Sequence, residues 1–168
     1  LEVILRRISP VDLTAGEFAP FGDVIEVAAV DAVRNINEGH TERYHDLAKL
    51  TLDEAGGQPA INIFRSTPLP NPLLLKFMER HPLSSQAFMP LSGRPYLVVV
   101  APPGDLDESA IRVFLASAHQ GVNYHPGTWH HYCLALNEVS DFLVVDRIAN
   151  DENCDEVMLK ESIEIEGL

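Results

Sequence analysis

Six side chains carry most of the chemistry this sequence could perform: Glu79, His81, Gln86, His125, His130 and His131. Three of the seven histidines lie within seven positions of the stretch GVNYHPGTWHHYCLAL, residues 121–136. Imidazole titrates near neutrality and binds divalent metals as a neutral ring, so the cluster suits proton transfer or metal ligation. In a strand beginning near residue 130, His130, Tyr132, Leu134 and Leu136 face one way, and His131, Cys133 and Ala135 face the other. His130 and His131 then cannot line one pocket. The turn HPGT brings His125 back toward the strand mouth, which makes His125 and His130 the favoured pair.

Upstream, LLLKFMERH (73–81) read as a strand puts Leu75, Phe77, Glu79 and His81 on one face. Lys76, Met78 and Arg80 take the other, which suits solvent. An acid and an imidazole turned toward an apolar interior need a reason. A helix with Pro72 in its first turn is the competing reading of this segment. In AINIFRS (60–66), Ile61, Ile63 and Arg65 share a face that is expected to meet the core. A guanidinium there requires an anion, either a substrate carboxylate or a buried Asp or Glu. Tyr44 and His45 in ERYHDLA are weaker candidates for substrate contact, since neighbours in an extended chain point opposite ways. Asp146 and Arg147 are expected to form a structural ion pair.

The elements that must position these groups are short and rich in Val, Ile, Leu and Phe, with Gly, Pro, Asn or Asp between them: GDVIEVA, AINIFRS, LLLKFMERH, SQAFMPL, YLVVVAP, AIRVFLAS, HHYCLAL and DFLVVDR. That spacing predicts an all-β sandwich or barrel. Thr14 followed by Glu17 reads as a capping box for one short helix that Pro20 limits. The terminal VMLKESIEI keeps apolar positions able to cover part of the sandwich.

A chain of 168 residues with 46% hydrophobic content suits a single domain over 1–168. The net charge of −13 opposes nucleic-acid phosphates and anionic membranes, so a small molecule or another protein is the expected partner. Two cysteines and no CxxC pair point to a reducing cytoplasm rather than a disulfide framework. LEVILRRISP lacks the basic, apolar and small-residue succession of a signal peptide, and no run of apolar residues approaches a membrane span.

The spacing of these residues, His131 apart, resembles that of the cupins, small β-barrels that often hold one metal. Their second motif, P-x-G-x-x-H, is matched by His125-Pro126-Gly127-Thr128-Trp129-His130, with His in place of the first Pro. Their first motif is matched in frame by Glu79-Arg80-His81, then Gln86, then Gly93. The corresponding ligand positions are Glu79, His81, Gln86 and His130, of which the neutral Gln amide is a weak ligand. The frame therefore allows one divalent ion (Ni, Mn or Zn) without implying it, and a metal-independent site is the alternative.

FAPFGDVIE, ERYHDLA, ERHPLSSQAFMPL, GVNYHPGTWHHYCLAL and FLVVDR together resemble the ureidoglycolate lyase family, also called ureidoglycolate hydrolase. The resemblance implies a cupin-like β-barrel or jelly-roll sandwich with short peripheral helices. It also implies a homodimer that cleaves (S)-ureidoglycolate to glyoxylate and urea in allantoin and purine breakdown. On that reading His130, Glu79, His81 and His125 are the catalytic candidates, and Arg65, Tyr44 and His45 the substrate-binding ones. An amidohydrolase releasing ammonia, or a non-catalytic cupin that binds a small carboxylate, are the alternatives.

Overall fold

The computed structural model describes residues 5–27 and 33–168. Its strands, in chain order, are Arg6–Ile8 (β1), Val11–Asp12 (β2), Gly22–Ile25 (β3), Val33–Ile36 (β4), Thr41–Tyr44 (β5), Gln58–Ser66 (β6), Leu73–Arg80 (β7), Gln86–Pro90 (β8), Tyr96–Ala101 (β9), Arg112–Ala116 (β10), Gly121–Tyr124 (β11), Trp129–His130 (β12), Leu134–Ala135 (β13), Ser140–Ile148 (β14) and Asp155–Ile165 (β15). The α-helix Ala15–Phe18 (α1) is capped by Thr14, whose hydroxyl accepts the Glu17 N–H at 3.3 Å. The Glu17 side chain does not close the box; it pairs with Arg112 at 2.8 Å. No helix among the described residues is long and apolar enough to cross a membrane.

One sheet runs β1-β15-β7-β12-β9-β10-β2, with β13 also on β9, and a second runs β3-β11-β8-β14-β6. A separate ribbon is formed by β4 and β5. The two larger sheets face each other as an all-β, cupin-like barrel. The strand β9 is its spine, buried on both faces as its unbroken apolar run requires. Tyr96, Val98 and Val100 meet Phe88, Val122, Phe142 and Val144 of the second sheet. Leu97, Val99 and Ala101 meet Leu73, Leu75, Met78, Trp129 and Ile163, where the first sheet curls over its own outer side.

That second core corrects the sequence reading of residues 73–81. The segment is a strand and not a helix, but Met78 is fully buried instead of facing solvent, and Leu75 lies in the same second core rather than beside Glu79. The cause is a β-bulge. Between the pairs Met158↔Phe77 and Ile163↔Leu75, β15 advances five residues against two of β7, which resets which face each side chain takes.

A second bulge breaks the expected strand HHYCLAL. His130 pairs with Val100 and Leu134 with Leu97, so four residue steps stand against three, and residues 131–133 are irregular. Cys133 accordingly packs against the same core that His130 faces, not the opposite one.

The face of β6 is also inverted relative to expectation. Ile61 and Ile63 are 75% and 57% exposed, and the Arg65 side chain is 73% exposed. Phe64 points inward, with its ring edge-on to Phe88 at 5.7 Å. Apolar residues stand on both faces of this edge strand, so alternation alone could not choose between them.

Candidate active site

The bulged strand β7 and the two-residue strand β12 lie side by side, with Glu79 and His130 in direct register. Residues paired across antiparallel strands share a face, so both point into the barrel. His130 Nδ1 lies 3.8 Å from Glu79 Oε1, and the His81 and His130 rings are 5.2 Å apart. One ligand-capable atom from each of Glu79, His81 and His130 falls within 4.8 Å of the others.

Both imidazoles are held in one tautomer. His81 Nδ1 lies 2.7 Å from the Asn153 carbonyl and His130 Nδ1 lies 3.1 Å from the His131 carbonyl. A carbonyl oxygen can only accept, so each Nδ1 carries the proton and each Nε2 keeps a lone pair. Both Nε2 atoms are buried without a hydrogen-bond partner. Buried nitrogens with a free lone pair, each ring fixed from behind by a carbonyl, suit a metal ion, while the 3.8 Å approach of Glu79 is to His130 Nδ1. Burial, reinforced by the nearby His81, lowers the His130 pKa to about 3, so that ring is neutral at physiological pH. Burial also raises the Glu79 carboxyl above its ordinary range, helped by Glu156 directly across the β7–β15 ladder and opposed by His81 and the Cys154 thiol.

Two residues outside the motif frame hold this group in place. Tyr124 stacks face to face on His130, with centroids 4.4 Å apart and planes at 2°. Asn153 is pinned through its own side chain, which accepts the Leu83 N–H at 2.8 Å and donates to Ser84 Oγ at 2.7 Å, and its carbonyl thereby fixes His81. Any residue can offer a carbonyl, so no sequence signal marks Asn153. Tyr124 belongs to the alternating strand before the turn, where an aromatic reads as ordinary core.

The remaining candidates lie elsewhere or in altered roles. Gln86 is buried, and its Nε2 donates to Asp146 Oδ2 at 3.2 Å, leaving Oε1 as its one ligand-capable atom. Asp146 also accepts from Asn62 at 2.9 Å, while Arg147 pairs with Asp151 at 2.7 Å, so the expected Asp146–Arg147 pair does not form. His125 Nε2 sits 3.0 Å from Asp23 Oδ2, outside the Glu79 group. Burial raises the Asp23 carboxyl, but donors from Asn123, the Lys49 N–H and His125 outweigh it and hold its pKa below 3.8. Arg65 forks onto Asp141 at 2.8 and 2.9 Å and is largely solvent-exposed, and it also stands at the smaller opening that reaches Glu79 and Gln86. Tyr44 donates to Glu42 within the β4–β5 ribbon, and His45 follows directly after it.

The group is open on two sides. A cavity of about 420 Å³ reaches His81 and Gln86 past Asp146, Arg147, Asn153 and Cys154. A smaller one of about 240 Å³ reaches Glu79 and Gln86 past Ser66, Tyr132 and Cys133.

A curled antiparallel barrel that sets Glu, His and His on adjoining inner strands defines a cupin-type centre. The chain matches the ureidoglycolate lyase family model over residues 5–166. A protein named ureidoglycolate lyase from Burkholderia mallei (strain NCTC 10229) is 52% identical over 159 residues, covering 95% of this chain and 93% of that one. One of the same name from Pseudomonas syringae pv. syringae (strain B728a) is 49% identical over 159 residues, covering 94% and 93%. Among solved structures, an oxalate decarboxylase from Lactobacillus farciminis in a formate complex aligns with a TM-score of 0.41 and 16% identity, covering 66% of this chain and 30% of that one. This chain belongs to the ureidoglycolate lyase family.

Proposed function

We propose that this protein is a ureidoglycolate lyase that cleaves (S)-ureidoglycolate to glyoxylate and urea in allantoin breakdown. The family match over residues 5–166 carries the reading, and the barrel group supplies chemistry suited to it. In the reaction the carbinol oxygen loses its proton, the C–N bond breaks as the carbonyl of glyoxylate forms, and the departing ureido nitrogen gains a proton. His130 offers a bare Nε2 as acceptor for the carbinol proton, but a pKa lowered to about 3 by burial makes it a weak base, better suited to holding an ion than to taking the proton unaided. Glu79, whose carboxyl burial raises above its ordinary range, is the candidate to give a proton to the nitrogen. His81 flanks both and is held by Asn153.

Glu79, His81 and His130 are also the residues that would hold one divalent ion, with Gln86 a weak fourth donor; Ni, Mn and Zn suit such nitrogen and oxygen ligands. Bound there, an ion would take up the hydroxyl and carboxylate oxygens of the substrate and acidify the hydroxyl.

The test is release of glyoxylate and urea in equal amounts by metal-stripped and reloaded protein. Ammonia in place of urea would identify an amidohydrolase, and glyoxylate binding without turnover a non-catalytic cupin. Full activity of the stripped protein assigns proton transfer to His130 and Glu79 themselves. Activity restored only by an added ion assigns these side chains to holding it. The reading also takes residues 1–168 as one working unit, a homodimer as its assembly and the cytoplasm as its compartment.

A further inference from the structure

Among the described residues, the ribbon of β4 and β5 pairs with itself alone. Among the described residues, no hydrogen bond or ion pair joins Val33–Tyr44 to the rest of the chain; its bonds are internal, such as Asn37 to Thr41 and Tyr44 to Glu42. After the ribbon, the next hydrogen bonds to the barrel among the described residues are at Lys49, whose N–H reaches Asp23 and whose carbonyl accepts from Asn123. An isolated two-stranded ribbon is marginal in water and needs a surface to rest on.

The ribbon's charges indicate what kind of surface. Arg34 and Arg43 are direct partners across it and share one face. Like charges placed opposite one another repel, and no carboxylate of a described residue lies within ion-pair range of either. This occurs in a chain with 25 acidic residues against 12 basic ones.

The larger opening of the barrel shows the converse imbalance. Asp146, Asp151 and Glu152 line it, Glu79 and Glu156 lie beside its Cys154, and its one lining arginine, Arg147, is already committed to Asp151. An anionic substrate would be repelled from such a mouth without an added cation. Arg65, which stands at the smaller opening, is already neutralised by its fork onto Asp141.

We infer that the β4–β5 ribbon of one subunit docks over the barrel mouth of a second copy of this chain, bringing Arg34 and Arg43 against the acidic rim and over the carboxylate of the substrate. Reciprocal exchange gives a two-fold dimer in which each mouth is completed by its neighbour. Tyr44 and His45 travel with the ribbon, which places the ERYHDLA segment at a site that, among the described residues, it does not reach through a hydrogen bond or ion pair in its own chain. The identity of the anion rests on the lyase reading; the docking does not.

Two measurements test the inference. Sedimentation velocity should show a dimer for the wild type and a shift toward monomer for the double variant Arg34→Glu with Arg43→Glu, whose fold is checked by circular dichroism. A monomeric wild type, or a double variant that dimerises unchanged, overturns the docking whatever the substrate proves to be.

The second measurement mixes Arg34→Ala/Arg43→Ala protein with His130→Ala protein and lets subunits exchange. The first variant alone should show a KM raised roughly ten-fold or more, with a smaller change in kcat. Random reassortment should then restore about one quarter of wild-type activity, since half the dimers carry one intact site of two. A mixture no more active than its separate components overturns action in trans, even though wild-type turnover would uphold the lyase reading. A wild type that releases no urea removes that reading, and sedimentation still decides the docking.

Discussion

His125 and His130 lie five positions apart and differ in everything that matters for chemistry. His125 is half-exposed, and its Nε2 is committed to Asp23, whose carboxylate also accepts from Asn123 and Lys49. His130 is buried, held from behind by a carbonyl, stacked on Tyr124, and bare at Nε2. The first ring has found a partner within the fold and fastens a loop. The second has been desolvated without compensation at one nitrogen, a cost that folds tolerate mainly where a ligand or a proton is to be received. Satisfaction of the second nitrogen, more than the presence of an imidazole, separates a structural histidine from a working one.

The sharpest way to break this comparison is to remove each ring in turn. His130→Ala should lower kcat by roughly 10²–10⁴-fold in a folded protein. His125→Ala should leave kcat within about two-fold and lower Tm by a few degrees, through the lost bond to Asp23. Comparable losses of turnover in the two variants would erase the distinction.

A smaller effect is expected behind His81. Asn153→Ala frees the segment whose carbonyl orients that ring, and it should reduce turnover or metal affinity by about ten-fold while His81 itself is unchanged. Urea release and a metal titration on the same preparation would show whether orientation matters.

Acid should separate the two regions by window. On stripped protein, His130 and His131 stay neutral down to about 3 and about 4, chiefly through burial, against an ordinary value of 6.5. Below about 6.5 the unfolded chain binds protons that the folded chain refuses, so stability is full above that pH and declines as pH falls from it. Asp23 has the opposite chemistry. Its lowered carboxyl contributes stability above its ordinary 3.8 and loses it only as pH falls through the still lower folded value. His131→Leu should therefore flatten the decline in Tm between pH about 6.5 and 4, and His125→Ala should not.

The smallest expected change is at Arg65. Because Arg65 is solvent-exposed and already neutralised by Asp141, Arg65→Ala should leave KM within about two-fold. A large rise in KM would return Arg65 to the substrate site.

Much of the architecture was legible because its signals are local. The Thr14 cap, the turn residues and the Val- and Ile-rich runs each act within a few positions. The frame linking Glu79, His81, Gln86 and His130 also survived folding, because one registered strand pair brings its two halves together. What the sequence hid is set by partners far along the chain. The inward face of β6 was ambiguous because Ile61, Ile63 and Phe64 are apolar on both sides. Met78 and Cys133 took unexpected faces because bulges change phase where two strands disagree in length, which neither strand shows alone. Asn153 acts through its main chain, so its side-chain type carried no hint.

The doubly buried strand β9 bears on how firmly the centre is held. His130 stands on a strand of two residues, too short to be rigid by itself, yet β12 is hydrogen-bonded to β7 on one side and to β9 on the other. In the language of amide exchange, the His130 backbone should open only when β9 opens, and β9, with all six residues buried, opens only when the whole barrel does. The ribbon from Val33 to Tyr44 stands at the other extreme and should exchange within the dead time of the experiment unless a neighbouring subunit covers it.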